Sequence, residues 1–197
     1  MTPLDSQPLV VLDTETTGMS PADGHRLVEV ARVTVTGGAI GGTWSSLVRP
    51  GRPIPADAAR VHGITDAMVA TAPAPAEVAH ALRPACADLP LVFHNVRFDL
   101  PFLVELFRAA GEPPLWNPVV DTLGLARGLF GPGNNSLGEL AAALGLEAGT
   151  AHRALGDALT TARLFVALAA RWERDKGVRS LAELAAASQD ALRTTRR

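Results

Sequence analysis

This 197-residue sequence has little cysteine, lysine or surplus charge. Its lone Cys86 has no partner for an intramolecular disulfide or a thiolate metal site, so redox chemistry is not expected. Lys176 is the only lysine, and 18 basic residues against 20 acidic ones give a formal charge of −2 and a pI near 6.2. That balance excludes a histone-like polycation, so contact with nucleic acid would need a local patch or metal ions. No apolar run approaches the roughly 20 residues of a membrane span, and the start, MTPLDSQPLVVLD, has no basic n-region of a secretory signal. The expected location is cytoplasmic. What is abundant is apolar: 47% of residues are hydrophobic and 19% charged, enough for one sizeable core in a single globular domain.

The hydrophobic pattern predicts strands at Leu9 to Leu12, Leu27 to Val35 and Trp44 to Val48, the last two separated by Gly37, Gly38, Gly41 and Gly42, which makes an antiparallel meander. Arg49 to Ala76, rich in Pro and Ala, reads as an irregular crossing segment with Val61-His62-Gly63-Ile64-Thr65 embedded in it. Helix Glu77 to Ala87, strand Leu89 to Phe93 and helix Leu100 to Ala110 follow, the last with Phe102, Leu103, Leu106 and Phe107 on one face. Asp121 caps a short helix. Ser136 and Glu139 form a capping-box pattern before Leu140 to Leu144. The longest apolar stripe runs from Arg153 to Glu173, and a short helix over Leu181 to Ala187 precedes the basic tail, Arg193 to Arg197. Strands first and alternating strands and helices later indicate an α/β fold with a mixed sheet.

Three groups of residues carry chemistry. Asp13 and Glu15 stand at i and i+2 where a strand ends, so they share a face; two carboxylates that close favour a divalent cation or a shared proton. A solvated strand end before a Thr/Gly turn is the plainer alternative. His94-Asn95-Val96-Arg97-Phe98-Asp99 falls where a strand passes into a helix, and Asp99 there is either a site residue or an N-cap. His152 and Asp157, five residues apart, do not share a helix face, which suits a histidine leaning over a site from a loop while Asp157 is anchored on the helix. A surface histidine is the alternative. Taken together at element boundaries, four carboxylates and one histidine are the parts of a two-metal phosphodiesterase, with ions about 3.5 to 4 Å apart stabilising the attacking and leaving oxygens. Mg²⁺ suits hard oxygen ligands and Mn²⁺ can substitute.

In that order, Asp13-Thr-Glu15-Thr-Thr-Gly, His94-Asn-x-x-Phe98-Asp99 and His152-x-x-x-x-Asp157 resemble the three motifs of the DEDDh 3′-to-5′ exonucleases, the family of the proofreading epsilon subunit of bacterial DNA polymerase III and its stand-alone homologues. The likeness covers roughly residues 8 to 172 and includes Val61-His62-Gly-Ile-Thr and Asp121-Thr-Leu-x-Leu-Ala-Arg. The resemblance implies a ribonuclease H-like mixed β-sheet flanked by α-helices, with residues 1–175 as the exonuclease domain and residues 176–197 as a short C-terminal helix and basic tail. It implies that Asp13, Glu15 and Asp157 ligate two Mg²⁺ ions, Asp13 bridging them, that Asp99 holds the second, and that His152 is the general base. Thr16, Val61, His62, Asn95 and Phe98 are the expected substrate-contacting residues. The implied substrate is the 3′ end of single-stranded or frayed DNA, cut to nucleoside 5′-monophosphates. RNA is the rival substrate, and a DNA polymerase the implied partner, with a polymerase-binding interaction subunit as the rival role.

Residues 176–197 contain no recognisable polymerase-anchoring extension or clamp-binding segment, which favours a stand-alone or minimal exonuclease. Asp121 is expected to cap rather than ligate, Glu29 to be a buried hydrogen-bonding or edge residue, and Met19 an ordinary loop methionine. Arg97 and Arg153 are candidates for phosphate contact or plain solvated arginines. Setting the four site carboxylates aside leaves 16 acidic residues against 18 basic ones, so two bound divalent ions would carry the protein from −2 to +2.

Overall fold

The computed structural model describes residues 2–4 and 7–194. Five strands form one sheet: β1 (Leu9–Thr16), β2 (Leu27–Thr36), β3 (Ala39–Leu47), β4 (Leu91–Phe93) and β5 (Val119–Asp121), in the order β3-β2-β1-β4-β5. β1, β2 and β3 are antiparallel, whereas β4 and β5 run parallel to β1. Gly37 and Gly38, at φ 56° and 77°, make the tight β2–β3 turn, so β3 begins earlier than the expected Trp44.

Side-chain alternation along β1 sorts the core into two layers. Leu9 and Val11 face one side, under α5 (Thr122–Phe130), α6 (Leu137–Ala143), α7 (Ala154–Lys176) and α8 (Leu181–Thr194). Val10 and Leu12 face the other, under α3 (Pro75–Cys86) and α4 (Val96–Ala109). On α7 the small residues Ala154, Ala158 and Ala162 let the helix approach the sheet, while Leu164, Phe165 and Leu168 are fully buried, each contributing about 1.5–3 kcal/mol of burial free energy.

The crossing segment is more regular than its composition implies, holding α1 (Ala56–His62) and α2 (Asp66–Val69). Gly63, at φ 72°, ends α1, and Ile64 and Val69 pack with Val28 of β2 and Ile54 as a third cluster. Short helices between prolines leave too little periodicity to read. α4 starts at Val96 rather than Leu100 because Asn95, in the left-handed region at φ 70°, makes the turn and Pro101 is accommodated within the helix. α8 reaches Thr194, well past the expected Ala187. The polar run Ser188-Gln189-Asp190 conceals the continuation, yet Leu184, Ser188 and Leu192, one helical face, are all buried. Of the basic tail, Arg193 lies in α8, and Thr195, Arg196 and Arg197 lie outside the described residues. No helix among the described residues is long and apolar enough to cross a membrane.

Candidate active site

Because Asp13 and Glu15 share parity with Leu9 and Val11, they emerge on the α7 side of the sheet, where Asp157 stands in the first turn of α7. Carboxylate oxygens of Asp13, Glu15 and Asp157 lie within 4.8 Å of one another. Among the described residues, no lysine or arginine forms an ion pair with any of the three. Burial, reinforced by the neighbouring carboxylates, raises the pKa of Asp13 well above the usual range and that of Glu15 to about 8. Burial also raises Asp157, against the hydrogen bond from the His152 N–H. Half-buried carboxylates in contact, with no ion-pair partner among the described residues, are the donor set a hard divalent cation neutralises, so the residues fit a metal.

Asp99 arrives from the opposite layer. It sits in the first turn of α4, and its Oδ1 accepts from the Thr14 N–H at 3.0 Å and the Thr14 hydroxyl at 2.7 Å. It therefore does not cap α4; its carboxylate is tied to β1 instead. Burial pushes its pKa up to about 7 even though both Thr14 bonds pull it down.

Glu29 lies directly across β1–β2 from Glu15, a like-charged pair that would repel if uncompensated. Arg153 resolves it: its Nε and Nη2 meet the Glu29 carboxylate at 3.1 and 2.6 Å, and the Ala154 N–H adds a third bond at 2.9 Å. Glu29 is thus the buried hydrogen-bonding residue expected, and it pins the start of α7 to β2. Arg153 is turned toward that carboxylate, so it is an ion-pair partner rather than the plain solvated arginine that is one of its two readings. Arg97 is exposed on the first turn of α4.

His152 is exposed in the loop before α7, at φ 56°, and its N–H donates to Asp157 Oδ2 at 2.9 Å. The loop lies flat on α7 because Gly149 and Gly156 face each other: a Cβ on Gly156 would collide with the Thr150 carbonyl oxygen. Asp121 organises the other wall. Its carboxylate accepts from the N–H groups of Asn95, Val96 and Leu123 at 2.9, 3.1 and 2.9 Å, so it caps its own helix, as expected, and fixes the turn before α4 as well.

Asp13, Glu15, Asp99, His152, Asp157, Val61, Asn95 and Phe98 all line one cleft of about 510 Å³. A second hollow of about 330 Å³ shares Glu15, Val61 and Phe98 with it and adds Thr16, His62 and Met19. Phe98 packs on Phe102 with ring centroids 5.7 Å apart, while Val61 and Met19 are exposed at the rim. The Thr16 hydroxyl donates to the Gly18 carbonyl at 2.6 Å. His62 is buried, its Nδ1 accepts from the Ile64 N–H at 3.0 Å, and burial lowers its pKa. All ten expected site residues therefore lie around two joined hollows. The sequence reading assigns no site role to Thr14, Leu123, Arg127 or residues 133–137, which complete the cleft together with His94, the first residue of the second motif. The second motif, which opens at His94, and the Asp121-Thr-Leu-x-Leu-Ala-Arg signature, which ends at Arg127, point toward that wall.

The chain matches the RNase_T family, described as exonuclease, over residues 10–165, and it belongs to that family. It is 44% identical over 172 residues to the DNA polymerase III subunit epsilon-like protein of Rhodobacter capsulatus, covering 85% of this chain but only 24% of that protein. It is 34% identical over 168 residues to the DNA polymerase III subunit epsilon of Treponema pallidum, covering 84% of this chain and 78% of that one. Among solved structures, Exonuclease X in complex with 5′-overhanging duplex DNA superposes with a TM-score of 0.70 at 29% identity, covering 90% of this chain and 99% of the other. The fold is the ribonuclease H-like one, and the chain is a member of the exonuclease family with epsilon-type relatives.

Proposed function

We propose that this chain removes mononucleotides from the 3′ end of single-stranded or frayed DNA, releasing nucleoside 5′-monophosphates. The observation that carries the reading is the cluster of Asp13, Glu15 and Asp157, with oxygens within 4.8 Å and no cationic partner among the described residues, in a cleft open enough for a nucleotide. Asp13, Glu15 and Asp157, with Asp99 for the second site, are the residues that would hold two Mg²⁺ ions, Mn²⁺ substituting. Bound there, the ions would supply charge stabilisation for the attacking and leaving oxygens. His152 is the general base: histidine is the residue type that exchanges a proton near neutral pH, and its loop is fastened to Asp157 so that the ring overhangs the cleft. Glu29 and Arg153 hold the first turn of α7 against β2 and so keep Asp157 facing Asp13.

The second hollow takes the terminal nucleotide. Thr16 and His62 form its floor, Val61 and Phe98 present apolar edges to the base and sugar, and Asn95 lies across the cleft at the start of α4. Residues 1–175 are the catalytic unit in this reading. The names of the relatives support DNA as the substrate and a polymerase as the partner. Incubating the chain with Mg²⁺ or Mn²⁺ and 5′-end-labelled single-stranded DNA or RNA, beside Asp13→Ala, tests it. Stepwise shortening of DNA by the wild type alone is expected; preferential shortening of RNA identifies an exoribonuclease, and inactivity on both removes the reading.

A further inference from the structure

The cleft also holds an arginine with no anionic partner among the described residues. Arg127, in the last turn of α5, lines the cleft beside His94, Asn134, Asn135 and Ser136. Its Nε is buried without a hydrogen-bond partner, and no carboxylate of the described residues pairs with it. The buried Nε–H is out of a ligand's reach; what an anion in the cleft would meet is the charge of the guanidinium, which lines it without an ion-pair partner among the described residues. The wall around it is rigid. Asn135 is buried and bonds the carbonyls of Gly131 and Gly133 at 3.3 and 2.9 Å, and the ring of His94 is fixed by Thr122 at 2.9 Å.

The position of Arg127 also says which anion it awaits. Its charge reaches His94, whose pKa is lowered to about 4 chiefly by burial and also by this cation, whereas the guanidinium that Glu15 feels is that of Arg153. Arg127 lines the same cleft as the carboxylates, beside residues 134–136, but takes no part in the hollow formed by Thr16 and His62. A terminal nucleotide seated in that hollow would leave Arg127 facing the part of the cleft through which the rest of the same polyanionic chain would run. We infer that Arg127 binds a backbone phosphate upstream of the scissile one, and so grips the body of the strand rather than the terminal nucleotide. The inference rests on the nuclease reading above. Guanidinium is the group best matched to phosphate, and such a contact is blind to base sequence.

The test compares wild type, Arg127→Ala and Arg127→Lys on a single-stranded oligonucleotide and on the p-nitrophenyl ester of thymidine 5′-monophosphate, which has no upstream phosphate. Arg127→Ala is expected to lose about 10- to 100-fold in kcat/KM on the oligonucleotide, mostly through KM, and far less on the ester. Its binding should also fall less steeply with salt, the slope being shallower by about 0.7, the value for a single phosphate of a single strand. Arg127→Lys should keep the wild-type salt slope. A single methylphosphonate upstream of the scissile linkage should impair the wild type but add nothing to the defect of Arg127→Ala. Equal losses on both substrates would make Arg127 a support of the catalytic centre and overturn the inference, as would no loss on either. If the wild type cleaves neither substrate, the nuclease reading fails, and anisotropy with labelled oligonucleotide then decides Arg127 alone: unchanged affinity and salt slope in Arg127→Ala overturn it.

Discussion

At the scale of single residues, the acids were legible and their tethers were not. Asp13, Glu15 and Asp157 stand out because carboxylates interrupt apolar runs where elements begin or end. Thr14 carries no such mark, since its partner Asp99 is 85 positions away and only the fold brings them together. Thr14→Val deletes the 2.7 Å hydroxyl bond but leaves the backbone bond. Removing a bond to a charged group in a buried site should cost about 1.5–3 kcal/mol in urea unfolding, with activity falling in parallel. His152→Ala should behave differently. As the proposed base, its loss should lower kcat by roughly 10²–10⁴ while Mn²⁺ affinity, followed by paramagnetic resonance, stays close to wild type, because the Asp157 bond comes from the backbone N–H. Wild-type turnover across neutral pH in that variant would end the general-base assignment.

At the scale of elements, periodicity read the long helices well and the junctions poorly. α7 runs as its apolar stripe indicates, extended by only a few residues at its C-terminal end. α8 was shortened by its polar middle, yet it closes the sheet edge: the Asp121 N–H donates to the Ser188 hydroxyl at 3.2 Å, and that hydroxyl donates in turn to the Ala185 carbonyl at 2.8 Å. Gly124 of α5 permits this approach, because a Cβ there would collide with the Ser188 carbonyl oxygen. Backbone cannot yield as a flexible side chain can. Gly124→Ala is therefore expected to destabilise by about 1–3 kcal/mol through overpacking, despite alanine being the better helix former. Activity should fall with it, since Asp121 anchors the turn that presents Asn95. A thermal midpoint at or above wild type would show that α8 moves aside at no cost.

At the scale of the whole molecule, a near-neutral charge conceals a concentrated one. Four carboxylates share one end of the sheet with no ion-pair partner among the described residues, and stability should register it. In the metal-free protein Glu15 titrates at about 8 rather than 4.5, and Asp99 at about 7 rather than 3.8, with Asp13 and Asp157 raised as well. A group whose pKa rises on folding contributes stability that is complete below its unfolded pKa and is lost as pH climbs to its folded one. For Glu15 that window runs from 4.5 to about 8, and for Asp99 from 3.8 to about 7. His62 and His94 act in the opposite sense, because burial lowers their pKa below 6.5, and stability is lost as pH falls below that value. Between pH 6.5 and 8 the carboxylates act without that opposition, so the Tm measured in chelator should decline across the interval. A divalent ion reverses the sign of the problem: it holds the carboxylates ionised in the folded state and binds better as pH rises. At a hundredfold excess over Kd it should add about 2.7 kcal/mol, which for a chain of this size raises the Tm by roughly 5–10 °C. The rise should be larger at pH 8 than at pH 6.5. A flat or rising Tm in chelator would mean that the carboxylates are already compensated within the chain, and the site would then have no need of metal.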